Sequence, residues 1–208
     1  MPPKIAPASP ELTAFYRARR SWRSWGEERM RFAKAAQLAR IPPGAGAAVL
    51  DIGAREGGLK PFLPADVRYQ GIDITPEFAS PDVRIHDVSR GLPFADTAFD
   101  YAFCIEVLEH VPAPYQTLAE IHRVLRPAGV LILSVPNPYH VKELLWNLFR
   151  IPDRQGHLYS WTRQTMTRLA EMNGFRLDGF GGTYLHPPIP MVALFARSIV
   201  YRFAKSAS

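Results

Sequence analysis

The residues that carry the most chemical information are two acids and the glycines between them. Asp51 lies near the end of an apolar segment and is followed by Gly53 and Gly57, whereas Asp73 ends the next apolar segment. A strand that leads into a turn of small residues lets the backbone approach a ligand, and an acid at the end of the following strand can accept hydrogen bonds from both ribose hydroxyls. This spacing predicts a nucleoside-binding site.

The carboxylate of Asp51 indicates the charge of the ligand. A dinucleotide-binding turn places backbone amides and a helix N-terminus against an anionic pyrophosphate, where a preceding acid would be unfavourable. The glycines also lack the G-x-G-x-x-G spacing of the dehydrogenases. An acid favours a cationic group such as the ammonium of S-adenosylmethionine, so the sequence predicts a methyltransferase.

The composition is that of one globular domain. The chain has 208 residues, of which 47% are apolar and 21% charged, which is enough for a three-layer core. Its single cysteine, Cys104, excludes an internal disulfide and favours a reducing, cytoplasmic location. We expect neither a secretory signal nor a membrane-spanning helix, because no run of ~18 apolar residues occurs. The net charge of +6 leaves open a peripheral contact with anionic lipid.

Apolar runs separated by glycine and proline predict alternating strands and helices. Strands are expected near 47–52, 68–73, 83–86, 99–104, 129–135, 175–184 and 198–204. Helices are expected over 10–40, after Gly57, from Tyr115 to Leu125 and from Thr162 to Met172. This order predicts an α/β fold with a parallel sheet covered on both faces. Within one domain, we assign 1–45 to a helical extension or lid, 46–135 to the cofactor-binding core and 136–208 to the substrate side and last strands.

Six motifs follow one another in an order that is typical of one family. They are Val49–Gly53 through Gly57, Gly71–Asp73, Leu92–Phe94 through Phe99–Asp100, Glu106–His110, Leu125–Gly129 and Asn173–Phe175. The chain therefore resembles the class I S-adenosylmethionine-dependent methyltransferases, in particular the small single-domain branch that includes the quinone-biosynthesis methyltransferases. The resemblance implies a three-layer Rossmann-like fold whose seven-stranded sheet is mostly parallel with an antiparallel last strand.

The same resemblance implies which residues contact the cofactor, S-adenosylmethionine, which leaves as S-adenosylhomocysteine. They are Asp51, Gly53, Ala54, Arg55, Gly57, Asp73, Ile74, Asp87, Val88, Cys104, Ile105 and Glu106. Asp73 would bind the ribose and Asp87 the adenine amino group, while Cys104–Glu106 would lie beside the sulfonium. Asp73 could instead cap the segment that follows it.

Arg55 departs from the family pattern, because a glycine is usual at its position. Glycine there permits a positive φ and a close approach of the backbone to the ligand. We interpret the arginine as a tolerated replacement that points its side chain away from the cofactor or toward the cofactor carboxylate. A non-catalytic relative of the fold stays an alternative.

Three histidines near the expected carboxyl edge of the sheet are candidates for a general base. They are His157, His110 and, with the least support, His140. Glu106, Glu109 and His110 could together hold a divalent cation, but many members of the family carry the same residues for structural reasons. We therefore predict no resident metal.

The acceptor is expected to be a small organic molecule, methylated on oxygen, nitrogen or carbon in a monomer or homodimer. Aromatic residues between Asn137 and Trp161 could form an apolar pocket for it. The basic charge suggests an RNA or protein methyltransferase as the alternative. No RNA-binding module is recognisable, however, and no Asn/Asp-Pro-Pro-Tyr/Phe element follows the fourth predicted strand.

Overall fold

A computed structural model describes residues 25–151, 156–183 and 196–206. Seven strands occur in these ranges: β1 (Ala48–Ile52), β2 (Arg68–Asp73), β3 (Val83–Ile85), β4 (Phe99–Ile105), β5 (Leu125–Pro136), β6 (Phe175–Gly182) and β7 (Ser198–Lys205). Four α-helices accompany them: α1 (Trp25–Ala39), α2 (Pro114–Val124), α3 (Val141–Leu148) and α4 (Arg163–Glu171). The part of the predicted first helix before Trp25, like the predicted end of the sixth strand at Tyr184, lies outside the described residues. In the described ranges, no helix is both long and apolar enough to cross a bilayer.

The seven strands form one sheet in the order β3-β2-β1-β4-β5-β7-β6. Strands β1 to β5 pair in parallel, and β7 runs antiparallel to both of its neighbours, β5 and β6. The register pairs Ile52 with both Ile72 and Cys104, so β1, β2 and β4 end at the same edge. This arrangement confirms the predicted α/β fold and its mostly parallel sheet.

Apolar side chains pack on both faces of the sheet, as parallel strands require. On one face, Ala35 and Ala39 of α1 pack against residues such as Val49 and Ile132. On the other face, Leu118 of α2 and Met166 of α4 pack against residues of β1, β4, β5 and β7. Two cores, one on each side, hold the strand ends in fixed positions.

The predicted helix after Gly57 is wrong. The 15 residues between β1 and β2 contain turns and a single 3₁₀ turn at Lys60–Phe62. Gly57 and Gly58 disfavour helix, and Pro61 and Pro64 lack the amide that an α-helix interior needs. Leu59 and Leu63 are nevertheless buried against α1. The apolar spacing that suggested a helix therefore reflects the packing of a compact turn.

Candidate functional site

A cavity of about 530 Å³ opens at the carboxyl edge of the sheet. Its floor is formed by the ends of β1 and β2 and by the residues that follow β3 and β4. Its other walls come from α1, from α3 and from His157. The volume lies in the range of small-molecule sites, and ligands of open α/β sheets bind at this edge.

Gly53 begins the turn after β1 and lies on the cavity wall. It has φ +74°, and a Cβ atom at this position would collide with Cγ2 of Val107. Its amide donates to the carbonyl of Ile72, which fastens the turn to β2. Only glycine satisfies both the positive φ and the contact with Val107, so the backbone itself forms this part of the wall.

Asp73, at the end of β2, lines the cavity with a carboxylate that is already ordered. Its Oδ2 accepts from the amide of Arg55 at 3.0 Å, and its Oδ1 accepts from the amide of Thr75 at 2.8 Å. Burial raises the pKa of Asp73, whereas these two amides favour the ionised form. The side chain thus caps the local backbone and also faces the cavity, so the two interpretations of Asp73 are compatible.

Arg55 lines the cavity in a left-handed backbone conformation, which glycine adopts most readily. Its φ is +50°, within the small left-handed region open to non-glycine residues. The guanidinium carbon lies 5.5 Å from the ring centroid of Phe78, and Nε lies 3.8 Å from a carboxylate oxygen of Glu56. The side chain of Arg55 therefore packs beside Phe78 on the cavity wall.

Asp51 is buried behind the floor and is not among the residues that line the cavity. The hydroxyl of Tyr69 donates to its Oδ2 at 2.6 Å. Burial raises the pKa of Asp51 to about 7, with a smaller contribution from the negative charge of Asp73. Near neutral pH this acid is therefore partly protonated, and a cation placed in the cavity would favour its ionised form.

The turn after β3 contributes Asp87 and Val88 to the cavity. Oδ1 of Asp87 accepts from the amide and the hydroxyl of Ser89, and Oδ2 accepts from Nε of Arg90 at 3.1 Å. The carboxylate thus shapes its own turn. Ile74 lines the same end of the cavity.

Glu106 follows β4 and lines the cavity in a left-handed conformation, with φ +54°. Its carboxylate accepts from the hydroxyls of Ser134 at 2.8 Å and Ser198 at 3.1 Å. The guanidinium Nη1 of Arg31 lies 3.5 Å from its Oε2. These contacts from β5, β7 and α1 hold the carboxylate in one position, which offsets the cost of the strained backbone.

Glu109, His110 and His157 meet at one side of the cavity, and they supply three potential metal ligands within 4.8 Å of one another. The rings of His110 and His157 lie 5.0 Å apart between centroids. Nδ1 of His110 lies 3.0 Å from the carbonyl oxygen of Gly156. If Nδ1 donates to this carbonyl, the neutral ring presents the lone pair of Nε2. The geometry can therefore hold a base or orient a hydroxyl group.

Five other predicted site residues, like Asp51, do not line the cavity: Ala54, Gly57, Cys104, Ile105 and His140. Cys104 is fully buried among apolar residues, and burial raises the pKa of its thiol. Ile105 packs toward the α1 face of the sheet. His140 precedes α3, and burial lowers the pKa of its imidazole. The structure therefore brings only His110 and His157, of the three histidines, to the cavity.

The N-terminal end of α1, within the segment assigned from the sequence to a helical extension or lid, forms a wall of the cavity through residues that the sequence analysis did not single out. Glu27, Glu28 and Arg31 line the cavity, and Glu27 pairs with Arg197 at 3.2 Å. Nε of Arg31 is buried without a hydrogen-bond partner among the described residues. These three charged side chains of α1 therefore face the cavity.

The cavity is acidic, although the whole chain carries a net charge of +6. Eight carboxylates line it: Glu27, Glu28, Asp73, Glu77, Asp87, Glu106, Glu109 and Glu143. Four cationic side chains face them: Arg31, Arg55, Lys142 and Arg197. An excess of carboxylates favours a ligand with a positive charge.

Comparison with known proteins agrees with this geometry. A family model described as a methyltransferase domain matches residues 16–178, which is most of the chain. The chain belongs to this methyltransferase family. The family assignment confirms the resemblance that was drawn from the motifs, and the match includes α1 together with the strands that form the cavity floor.

The curated relatives of this family member are longer proteins. An uncharacterized methyltransferase of Mycobacterium avium is 38% identical over 100 residues, which cover 43% of this chain and 40% of the relative. The 2-methyl-6-phytyl-1,4-hydroquinone methyltransferase of Synechocystis is 29% identical over 150 residues, which cover 66% of this chain and 46% of the relative. The chain thus matches less than half the length of either relative.

A solved structure supports the fold at greater coverage. The S-adenosylmethionine-dependent methyltransferase of Thermotoga maritima, described as a possible histamine N-methyltransferase, superposes with a TM-score of 0.67. The alignment covers 94% of this chain and 98% of the other at 16% sequence identity. At this identity the likeness concerns the fold alone.

Proposed function

We propose that this protein transfers a methyl group from S-adenosylmethionine to a small organic acceptor. The observation that carries the proposal is the excess of carboxylates around a cavity at the ends of β1, β2 and β4. A sulfonium nucleoside carries both the positive charge and the ribose that such a site would bind. The same excess of negative charge would repel a phosphate backbone, which argues against RNA as the acceptor.

Residues of the cavity floor are suited to the nucleoside half of the cofactor. Asp73 retains acceptor capacity beyond the two amides it binds, because an ionised carboxylate has about four lone-pair sites, and it would accept from the ribose hydroxyls. Ile74 and Val88 supply apolar surface for the adenine, and Asp87 would accept from its amino group. Gly53 would let the backbone approach the methionine portion.

Arg31 is suited to the carboxylate of the methionine portion. Its guanidinium lines the cavity, its Nε is buried without a partner among the described residues, and Nη1 contacts Glu106 only at 3.5 Å. A carboxylate from the ligand would satisfy this nitrogen and form a charge-assisted contact. The fit of an orphaned donor to the one anionic group of the cofactor supports the assignment.

The bound cofactor supplies a methyl group already activated for in-line displacement. The protein then has to hold the acceptor near that carbon, and such positioning can contribute ~7–11 kcal/mol. His157 or its neighbour His110 would accept a proton from the acceptor, which contributes ~10²–10⁴-fold in rate. Trp146 of α3 and the carboxylate of Glu143 lie on the same side of the cavity and would wall the acceptor.

A hydroxylated aromatic ring fits these surroundings best. It would stack on Trp146 and present a hydroxyl to the histidine pair. The Synechocystis relative is named for a hydroquinone of this kind. We therefore propose a phenol or hydroquinone as the acceptor class.

Calorimetry tests the proposal directly. The full chain should bind S-adenosylmethionine, and Asp73→Asn should weaken binding on the order of 100-fold, since charge-assisted hydrogen bonds contribute ~1.5–3 kcal/mol each. Asp66→Asn is the matched control, because Asp66 also accepts a backbone amide, from Gly46 at 2.7 Å, but is exposed and does not line the cavity. Absence of binding by the unaltered chain would indicate a non-catalytic relative.

Acceptors can then be screened with cofactor labelled in its methyl group. A panel of phenols, hydroquinones, amines and an RNA transcript should give labelled product only with the hydroxylated rings. Labelling of RNA or of an amine instead would overturn the acceptor class but would leave the cofactor assignment standing.

A further inference from the structure

Large apolar side chains are exposed in one segment beside the cavity. In the described ranges, nine of thirteen such side chains fall between residues 139 and 159: Tyr139, Val141, Leu144, Leu145, Leu148, Phe149, Ile151, Leu158 and Tyr159. Leu148 is 73% exposed and Phe149 is 69% exposed. We call these nine residues the apolar rim. A concentration of this kind marks an interaction surface, because single exposed apolar residues are normally scattered.

Helix α3, at the centre of the apolar rim, exposes its apolar face and turns its more polar face toward the protein, unlike an ordinary surface helix. None of the residues of α3 is buried. Its polar or amphipathic side chains Lys142, Glu143 and Trp146 line the cavity, while Leu145 and Leu148 are exposed. An amphipathic helix of a water-soluble protein usually buries its apolar stripe. The apolar stripe of α3 therefore faces away from the protein.

The apolar rim is continuous with the mouth of the cavity. Leu158 follows His157, and its amide donates to the carbonyl of Glu109 at 2.8 Å. Tyr159 is fixed nearby by a hydrogen bond from its hydroxyl to the carbonyl of Pro112, which also lines the cavity. A second copy of the chain seated here would cover the mouth through which an acceptor must pass. A lipid surface would instead deliver an apolar acceptor to it.

The charges beside the apolar rim favour an anionic lipid surface. Arg150 is exposed directly after Phe149, one of the most exposed residues of the apolar rim. Long cationic side chains and aromatic rings of this kind are typical at the boundary between headgroups and acyl chains. Among the described residues, cationic side chains outnumber carboxylates outside the cavity lining.

We propose that the apolar rim docks on an anionic lipid bilayer and takes its acceptor from it. The idea rests on the proposed function for the identity of the acceptor, but the docking itself is independent of methyl transfer. It predicts an acceptor that carries an apolar tail. It also predicts that membrane binding and cofactor binding are separable properties of the chain.

Co-sedimentation with vesicles tests the docking. The full chain should pellet with vesicles that contain phosphatidylglycerol, and less with vesicles of phosphatidylcholine alone. The rim variant replaces two of the most exposed rim residues, Leu148→Ser with Phe149→Ser. Its partition coefficient should fall at least ~10-fold, because each substitution removes apolar surface that the bilayer would bury. The matched control, Met172→Ser with Phe180→Ser, removes two apolar side chains that are also exposed but lie outside the rim, and it should bind like the unaltered chain.

Several outcomes would overturn the docking. The unaltered chain could stay in the supernatant, or the rim variant could pellet as well as the unaltered chain. Equal pelleting on neutral vesicles would exclude the anionic surface. A dimer in sedimentation velocity that the rim variant abolishes, without vesicle binding, would assign the rim to a second copy.

Calorimetry with S-adenosylmethionine separates the two proposals. The rim variant should bind the cofactor as the unaltered chain does, because none of its altered residues lines the cavity. Vesicle binding without cofactor binding would reject the methyltransferase proposal alone, and the reverse result would reject only the docking.

Discussion

The floor of the cavity and its covering wall are held in place by different forces. The floor consists of strand ends and turns that are bonded through their backbone amides: the amide of Gly53 donates to the carbonyl of Ile72 in β2, and the amides of Arg55 and Thr75 donate to the carboxylate of Asp73.

The covering wall consists of α1, α3 and the residues around His157. It is held by side-chain contacts, such as that of Arg31 with Glu106, and by isolated backbone bonds, such as that from Leu158 to Glu109. The difference suggests a fixed floor for a common cofactor and a variable wall for a particular acceptor. Four changes test this division, in order of decreasing effect.

The largest effect is expected on the covering wall, at His157. His157→Ala should lower kcat by ~10²–10⁴-fold if the imidazole removes the proton of the acceptor, with unchanged cofactor affinity. His140→Ala is the control, since His140 lies outside the cavity lining. Steady-state kinetics with the best acceptor of the panel would show this. A loss of kcat with His140→Ala but not with His157→Ala would make His140 the base instead of His157. The variant His110→Ala shows whether His110 shares the role of the base.

A smaller effect, on stability, is expected beneath the floor at Asp51. Its folded-state pKa of about 7 lies above the ordinary value of about 3.9, so the folded chain binds the extra proton. Its contribution to stability is complete below pH ~4 and is lost as the pH rises through about 7. Asp51→Asn keeps an acceptor for Tyr69 and removes this dependence. Denaturant titrations should show the variant gaining about 2–4 kcal/mol relative to the unaltered chain between pH 4 and pH 8. Parallel pH profiles would contradict a buried, titrating Asp51.

The next smaller effect, on cofactor affinity, is expected on the covering wall at Arg31, which would contact only the methionine portion of the cofactor. Arg31→Ala should weaken S-adenosylmethionine ~10–100-fold, which corresponds to one charge-assisted contact, while the affinity for decarboxylated S-adenosylmethionine stays unchanged. Arg29→Ala controls for the loss of a cation from α1, because Arg29 lies over Phe62 and outside the cavity lining. Calorimetry with both ligands measures the difference. Equal weakening of both ligands would make Arg31 a structural partner of Glu106.

The smallest effect is expected within the floor, at Arg55. Arg55→Gly removes the strain of a left-handed non-glycine residue, which costs ~1–2 kcal/mol. It also removes the contact with Phe78 and raises the conformational entropy of the unfolded chain. These contributions nearly cancel, so both the free energy of unfolding and cofactor affinity should change by less than ~1.4 kcal/mol, or tenfold. Thermal unfolding and calorimetry check the two values. A large gain in cofactor affinity would show that the arginine obstructs the site.

The floor could be predicted from the sequence far better than the covering wall. Strand β1 is buried along its whole length and β4 over most of it, and each is apolar apart from one acid, Asp51 or Asp100, and the tyrosine of β4. Such strands are recognisable in the sequence, and the register fixes the residues that end them. Asp73 therefore lies where its motif placed it. By contrast, the turn after Gly57 shows helical apolar spacing over too few residues, with two prolines, and local packing against α1 decided its conformation.

The covering wall depends on contacts between residues that are distant in the chain. Arg31 reaches Glu106 across 75 positions, and no local pattern in either segment indicates the pairing. The apolar spacing of α3 predicts an amphipathic helix but not which side faces the protein. His110 and His157 come together only because the segment after Gly156 bonds to the backbone of Glu109. Sequence reasoning named the histidines and gave His140 the least support, but it could not show that His110 and His157 meet.

Asn137 fastens the chain just before α3 to the residues that lead into β7. Its side-chain amide donates to the carbonyl of Ala196 at 2.9 Å, and its backbone amide donates to that of Arg197 at 2.8 Å. If α3 moves while these bonds persist, the helix would rotate about its N-terminal end. The far end of the helix, at Leu148, would then travel most while the strand ends stay still. Acceptor and product could then exchange past α3 while the nucleoside stays bound to the floor of the cavity.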